Sequence, residues 1–241
     1  MSSPSLSVVT ITKNEEAHLA RALRSVQTLA QDRVVIDSGS TDRTVEIAKS
    51  LATTVVSHPW EGFGPQKNFA RSHASGTWIL HVDADEEVST ALAEEIRRVL
   101  RLPTFDFYWL PITTEFLGRP LRHLQGKNLR LFRRDTGQWD GKQVHEQIQR
   151  MDGRRVRLGD PDSGVLTTSL IHHSHYQTLA AYRARQEQYS TADAEDMLVS
   201  GRDRVGRQVR VNPRNPLSVL RFLTERAAKQ FLRKFCVQRG F

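Results

Sequence analysis

A chain of 241 residues with 35 Lys and Arg against 27 Asp and Glu has a formal net charge of +8 and a sequence pI near 10.0, which suits an anionic partner: a nucleotide, a nucleic acid or an acidic membrane surface. Its single cysteine, Cys236, excludes an internal disulfide framework and points to a reducing compartment. Residues 1–7 are polar and lack the apolar run of a secretory leader, and no stretch approaches transmembrane length, so one substantial core with room for a small second lobe is expected.

Leu6 to Ile11 reads as a first strand, followed by a helix from Glu15 to Val26 whose Leu19, Ala22, Leu23 and Val26 recur at i, i+3, i+4, i+7. Arg33 to Ile36 is a second strand ending at Asp37. Ser38-Gly39-Ser40-Thr41-Asp42 is a turn and cap, launching a helix with Val45, Ile47, Ala48 and Leu51. Thr53 to Ser57 is a third strand, Glu61 to Pro65 a loop and Gln66 to His73 a short helix. Trp78 to Val82, preceded by Gly76, is a fourth strand, and Thr90 to Leu100 the helix after it. Such alternation specifies a parallel, layered α/β domain. After Pro103 the rhythm changes: Phe107 to Ile112, Asn128 to Phe132, Arg154 to Leu158 and Leu166 to Ile171 read as strands without intervening helices. Two helices close the chain, Leu179 to Val199 and, past the breaker Asn212 to Pro216, Leu217 to Val237.

The fourth strand runs into Asp83-Ala84-Asp85-Glu86-Glu87. Ligands of open α/β sheets bind beyond the carboxyl ends of the strands. Two carboxylates one residue apart there suit Mg²⁺ or Mn²⁺, which in turn grips a diphosphate; the plainer role is to precede the cap of the next helix. Single residues elsewhere also have plain roles: a turn-former for Asp37, a solvated lysine for Lys67, a strand-end acid for Glu146 and a core side chain for Trp139. The run His172-His173-Ser174-His175 invites a zinc reading, but neighbours on a strand face opposite ways, so His172 and His173 cannot both hold one ion.

Together, Thr10-Ile11-Thr12-Lys13-Asn14-Glu15, Val35-Ile36-Asp37-Ser38-Gly39-Ser40-Thr41-Asp42, Asp83-Ala84-Asp85 and Val144-His145-Glu146 resemble, over nearly the whole chain, the family 2 glycosyltransferases, and among them the lipopolysaccharide-core type with a V-H-E element. The resemblance implies an α/β GT-A (Rossmann-like) fold with a mixed central sheet and C-terminal helices. Residues 1–176 would be the catalytic domain, 1–102 its nucleotide-sugar half and 103–176 its acceptor half, with 177–241 a helical extension. It implies a UDP-sugar donor, UDP-glucose first. Thr10, Glu15, Asp37, Lys67 and Asp83 would bind the nucleotide, with Asp37 on the uracil edge and Asp83 on the ribose. Asp85 would hold Mg²⁺ or Mn²⁺, and alignment on Tyr176 and Tyr182 favours His173 as its partner. Glu146 would be the general base of an inverting transfer. The implied acceptor is a lipopolysaccharide-core or other envelope glycan, or a lipid-linked oligosaccharide. The Q-x-x-R-W element of processive relatives is missing, which implies transfer of a single sugar.

A cytoplasmic location is expected, with the basic amphipathic helix from Leu217 resting peripherally on an anionic membrane. A sugar nucleotidyltransferase would want a Gly-rich phosphate loop, which Thr12-Lys13-Asn14-Glu15 is not. A nucleic-acid-binding module would explain the charge but not the acids at successive strand ends, so no nucleic-acid partner is expected.

Overall fold

A computed structural model describes residues 5–116, 119–121, 126–143 and 146–173, all in the first of the two units into which the chain divides, Met1–Gln177. The two expected C-terminal helices, Tyr176, Tyr182, Val144 and His145 lie outside the described residues. The first half runs β1 (Leu6–Thr12), α1 (Leu19–Val26), β2 (Asp32–Asp37), α2 (Thr44–Leu51), β3 (Thr54–Ser57), α3 (Phe63–Ser72) and β4 (Trp78–His81). A two-residue strand β5 (Glu86–Glu87) and α4 (Thr90–Arg101) follow. The second half is β6 (Phe107–Phe116), β7 (Arg119–Pro120), β8 (Gly126–Arg133), β9 (Gly137–Trp139), β10 (Ile148–Arg150), β11 (Ser163–Val165) and β12 (Leu170–His173).

One mixed sheet has the order β3-β2-β1-β4-β8-β6-β12-β5, with β7 and β11 also paired to β6, while β9 and β10 form a separate antiparallel ribbon. β3, β2, β1 and β4 are parallel, and β8 runs antiparallel to both β4 and β6. β1 is buried at every residue, as a central strand covered on both faces must be. Alternate residues fill the two sides. Val8, Trp78, Leu80 and Leu131 join α4 through Leu92 and Ile96. Val9, Ile79, Phe107 and Phe132 join α3 through Ala70. The chain steps outward from β1 to β3 and then returns to place β4 on the other side of β1. That reversal opens a crevice beyond the carboxyl ends of β1 and β4.

Several expected boundaries shift, each because a side chain captures a backbone N–H. α1 begins at Leu19 rather than Glu15: the N–H groups of Glu15 and Glu16 donate to Thr44 Oγ1 (2.7 Å) and Asp42 Oδ2 (3.2 Å) of the facing loop. Leu166 to Ile171 is not one strand. The carboxylate of Glu95 accepts the N–H groups of Thr167 and Thr168, both at 2.8 Å, so pairing resumes only at Leu170. Arg154 to Leu158 is not a strand either. Asp152 takes the Arg154 N–H and Asp160 the Arg157 N–H, leaving one bridge from Arg155 to Gln149.

α3 starts at Phe63, inside the expected loop, and Pro65 lies in its first turn, where its missing N–H costs little. Its first free N–H groups bond into the loop that leads to Glu146: Phe63 N donates to Gln143 O and Gly64 N to Lys142 O, each at 3.0 Å. The approach is so close that a Cβ on Gly64 would lie 2.0 Å from the Asp140 carbonyl oxygen. Gly64→Ala is therefore expected to destabilise by about 1–3 kcal/mol through forced backbone displacement. Gly126→Ala, with nothing within 4 Å of the added carbon, should stay within about 0.5 kcal/mol. Urea unfolding of the two variants tests the contrast.

Candidate active site

The crevice is organised by a buried cluster of charge. Arg130 on β8 is 8% exposed. Its Nη2 donates to Asp83 Oδ2 and Glu86 Oε1, both at 2.7 Å, and its Nη1 donates to His81 Nδ1. The β4–β8 register, Leu80 against Leu131, sets His81 opposite Arg130 one step further on. Burial pulls the His81 pKa well below its ordinary value, with the Lys67 and Arg130 charges adding to the effect. The ring is therefore neutral. Because Nδ1 accepts from Arg130, the ring proton belongs on Nε2, which lies 3.2 Å from Asp83 Oδ1 without good hydrogen-bond alignment.

Burial opposes the ionised form of Asp83, but the charges of Arg130 and Lys67 outweigh it and hold this carboxyl well below the usual range. For Glu86 burial wins and pushes the pKa up to about 7, against the opposing charge of Arg130. Burial would lower the Arg130 pKa; the carboxylates of Asp83 and Glu86 instead raise it.

Lys67 on α3 is 5% exposed rather than solvated. Its Nζ is 2.5 Å from Glu146 Oε1 and 3.8 Å from Asp83 Oδ1. Lys67, Asp83 and Glu146 thus share a cavity of about 360 Å³, also walled by His81, Trp109, Arg130 and Trp139. Trp139 is buried, edge-on to His81 and Phe132. The preceding helix residue, Gln66, reaches the other side, donating to Ser38 Oγ (2.9 Å) and the His58 carbonyl (3.2 Å).

Around Asp37 the loops after β1 and β2 interlock. Asn14, with φ 55°, accepts the Thr41 N–H at 2.9 Å. Asp37 Oδ2 accepts the N–H groups of Gly39 and Ser40, both at 2.9 Å, and Oδ1 accepts the Ser40 hydroxyl. The Thr10 hydroxyl is committed to structure, donating to the Val82 carbonyl at 2.9 Å. Two residues on, the buried Thr12 hydroxyl has no hydrogen-bond partner among the described residues. Glu15 lies in the same interlocked loops, half-buried.

Asp83 and Asp85 do not leave a regular strand together, since Asp83 to Glu86 is a turn closed by Glu86 N donating to Asp83 O at 3.0 Å. The turn sends the two acids to different places. Asp85 Oδ2 meets His172 Nε2 at 3.2 Å. The structure does not bring the His173 ring to Asp85. That ring sits between Glu87 (2.8 Å) and Glu115 (2.6 Å), and only the His173 backbone N–H bonds to Asp85 O. The register decides this: β12 pairs with β5, His172 opposite Glu86, and with β6, His173 opposite Glu115. The Asp85 hydrogen bond raises the His172 pKa. A facing carboxylate and imidazole fit a divalent cation whose other positions are filled by diphosphate oxygens and water. Among the described residues no group of three or more His, Cys, Asp or Glu is arranged to hold a metal without such help.

Residues 7–159 match glycosyl transferase family 2. The chain belongs to that family. Among relatives, the lipopolysaccharide core biosynthesis glycosyltransferase LpsC of Rhizobium meliloti is 29% identical over 207 residues, covering 82% of this chain and 73% of that protein. An uncharacterized glycosyltransferase of Rickettsia typhi, RT0209, is 45% identical over 103 residues. That match spans 43% of this chain but only 35% of the relative. The S. aureus TarS 1–349 structure in complex with UDP-GlcNAc superposes with a TM-score of 0.51 at 17% identity, over 71% of this chain and 59% of that one. The fold is accordingly the GT-A arrangement, and the chain carries a family 2 glycosyltransferase domain.

Reading the sequence for acids at strand ends missed Arg130, His81 and Glu86. The available signal was a lone arginine inside the apolar run Leu129-Arg130-Leu131-Phe132. Arg130→Met should cost about 3–5 kcal/mol, because it leaves the buried Glu86, and the half-buried Asp83 beside it, without their cation. Denaturant unfolding measures the loss. A variant as stable as the parent would show that the cluster does not depend on this arginine.

Proposed function

We propose that this domain transfers a single sugar, with inversion, from a UDP-linked donor to a hydroxyl of an envelope glycan, with Glu146 as the general base. The convergence of Lys67, Asp83 and Glu146 on one cavity beyond the carboxyl end of β4 carries this reading. TarS, solved with UDP-GlcNAc, supports a UDP-linked donor, and LpsC, named for lipopolysaccharide core biosynthesis, supports an acceptor of that kind. Glucose is the first donor sugar to try.

In this reading the uracil sits against the interlocked loops near Glu15. Asp37 has accepted three hydrogen bonds. A carboxylate has about four acceptor positions, so one remains for the uracil imide N–H. Asp83, kept ionised by Arg130 and Lys67, accepts ribose hydroxyls. Asp85 and His172 would hold Mg²⁺ or Mn²⁺, which when bound supplies positive charge to the diphosphate of the leaving nucleotide. Glu146 takes the proton from the acceptor hydroxyl as that oxygen bonds to the anomeric carbon and the bond to the diphosphate breaks. Lys67 occupies Glu146 in the structure described, so it must turn away first, and the incoming diphosphate is the competing anion on its other side. We place this work in the cytoplasm. No helix among the described residues is long and apolar enough to cross a membrane, and the proposed peripheral attachment rests on 217–237, outside the described residues.

Glu146→Gln keeps the shape and a hydrogen bond to Lys67 but cannot take a proton. Transfer should fall by roughly 10²–10⁴ while UDP affinity, measured calorimetrically, is retained. A collapse of UDP affinity would move Glu146 to the nucleotide site.

The two histidines are separable. In the presence of UDP, Asp85→Ala and His172→Ala should each weaken Mn²⁺ binding by roughly tenfold or more, and His173→Ala should leave it near the parent value. The opposite ranking would return the metal role to His173.

A further inference from the structure

The cavity around Glu146 holds more positive charge than its own acids satisfy. Of its four cations, Lys67 is paired with Glu146 at 2.5 Å and Arg130 with Asp83 at 2.7 Å. Lys127 on β8 and Arg155 beyond β10 reach the same cavity from separate segments and meet no carboxylate within 4.0 Å among the described residues. Neighbouring arginines do not share this situation. Arg154 has Asp152 at 2.7 Å, and Arg150 has both Asp160 and Asp162.

A second observation concerns the walls. Trp109 Nε1, Arg130 Nε and His81 Nε2 are buried nitrogens without a hydrogen-bond partner among the described residues, and all three residues line this cavity. Each carries a proton but is closed to solvent, so these groups add positive polarity to the cavity wall without meeting a ligand directly. Asn128 and Gln147 add amide groups suited to hydroxyls. At about 360 Å³ the space lies at the small end of ligand pockets.

We propose that Lys127 and Arg155 form an acceptor subsite for an anionic group, a phosphate or a carboxylate, on the sugar presented to Glu146. The acceptor is then an acidic saccharide, which gains an ion pair that a neutral saccharide cannot make. The proposal rests on the transferase reading above, since it takes Glu146 as the base facing this cavity. Both residues are exposed side chains, so neutral replacements do not threaten the fold.

The test titrates the full chain, saturated with UDP, with three probes: methyl glucoside, its 6-phosphate and methyl glucuronide. The parent should bind at least one anionic probe about tenfold or more tighter than the neutral one, the usual worth of hydrogen bonds to a charged group. The better of the two distinguishes phosphate from carboxylate. Lys127→Gln combined with Arg155→Gln should erase that preference. Equal affinity of the parent for all three probes, or a preference that survives the double replacement, overturns the proposal. So does a loss of UDP affinity in the double variant, which would assign both cations to the donor. If the parent binds no UDP, the transferase reading itself fails. UDP binding without a preference for anionic sugars removes only the subsite.

Discussion

The buried guanidinium of Arg130 is the interaction on which the site depends. It joins β8 to the turn after β4, and among the described residues it lies closer to the carboxylates of Asp83 and Glu86 than any other cation does. Ionic groups in an interior persist only when paired and hydrogen-bonded. Here the pairing also does geometric work. By holding Asp83 and Glu86, Arg130 fixes the turn Asp83 to Glu86 from both ends, and that turn aims Asp85 at His172 instead of into the main cavity.

Charge arithmetic around this cluster constrains what can bind. Arg130 and Lys67 supply two positive charges, and Asp83, Glu86 and Glu146 up to three negative ones. Burial pushes Glu86 up to about 7, which brings the group towards neutrality. A diphosphate arriving here would find no surplus cation. Its compensating charge must come with it, and Asp85 with His172, one turn away, is where a divalent ion fits. The acceptor side is the reverse case, because Lys127 and Arg155 bring charge that no described acid answers.

Much of the first half was legible because its periodicity is set by burial. The faces of α1 and α4, the all-buried β1 and the acids at strand ends follow from local pattern and the crevice rule. What was not legible depends on partners far along the chain. Glu95 breaks a strand more than seventy residues away by accepting the N–H groups of Thr167 and Thr168. The choice between His172 and His173 depends on pairing with β5, a strand of two charged residues that no propensity argument would find. Arg130 falls within the expected strand Asn128 to Phe132, and its role in the site depends on Asp83 and Glu86, more than forty residues earlier in the chain. The hydroxyl of Thr10, which the resemblance assigns to the nucleotide, also ties β1 to the end of β4, a contact across seventy-two residues.

α3 couples these regions. Consecutive residues on it, Gln66 and Lys67, face the Ser38 loop and Glu146. The start of the helix is bonded to Lys142 and Gln143, with no room for a side chain at Gly64. Lys67 lies 2.5 Å from the proposed base and 3.8 Å from Asp83, within a single side-chain rotation of a different ion pair. In the proposed transfer, Glu146 is held by Lys67 before the donor binds. A diphosphate in the crevice would give that cation a second anion to serve and would release the carboxylate towards the acceptor hydroxyl. In the proposed transfer this exchange gives an order to the chemistry: the base becomes available only when there is a sugar to transfer.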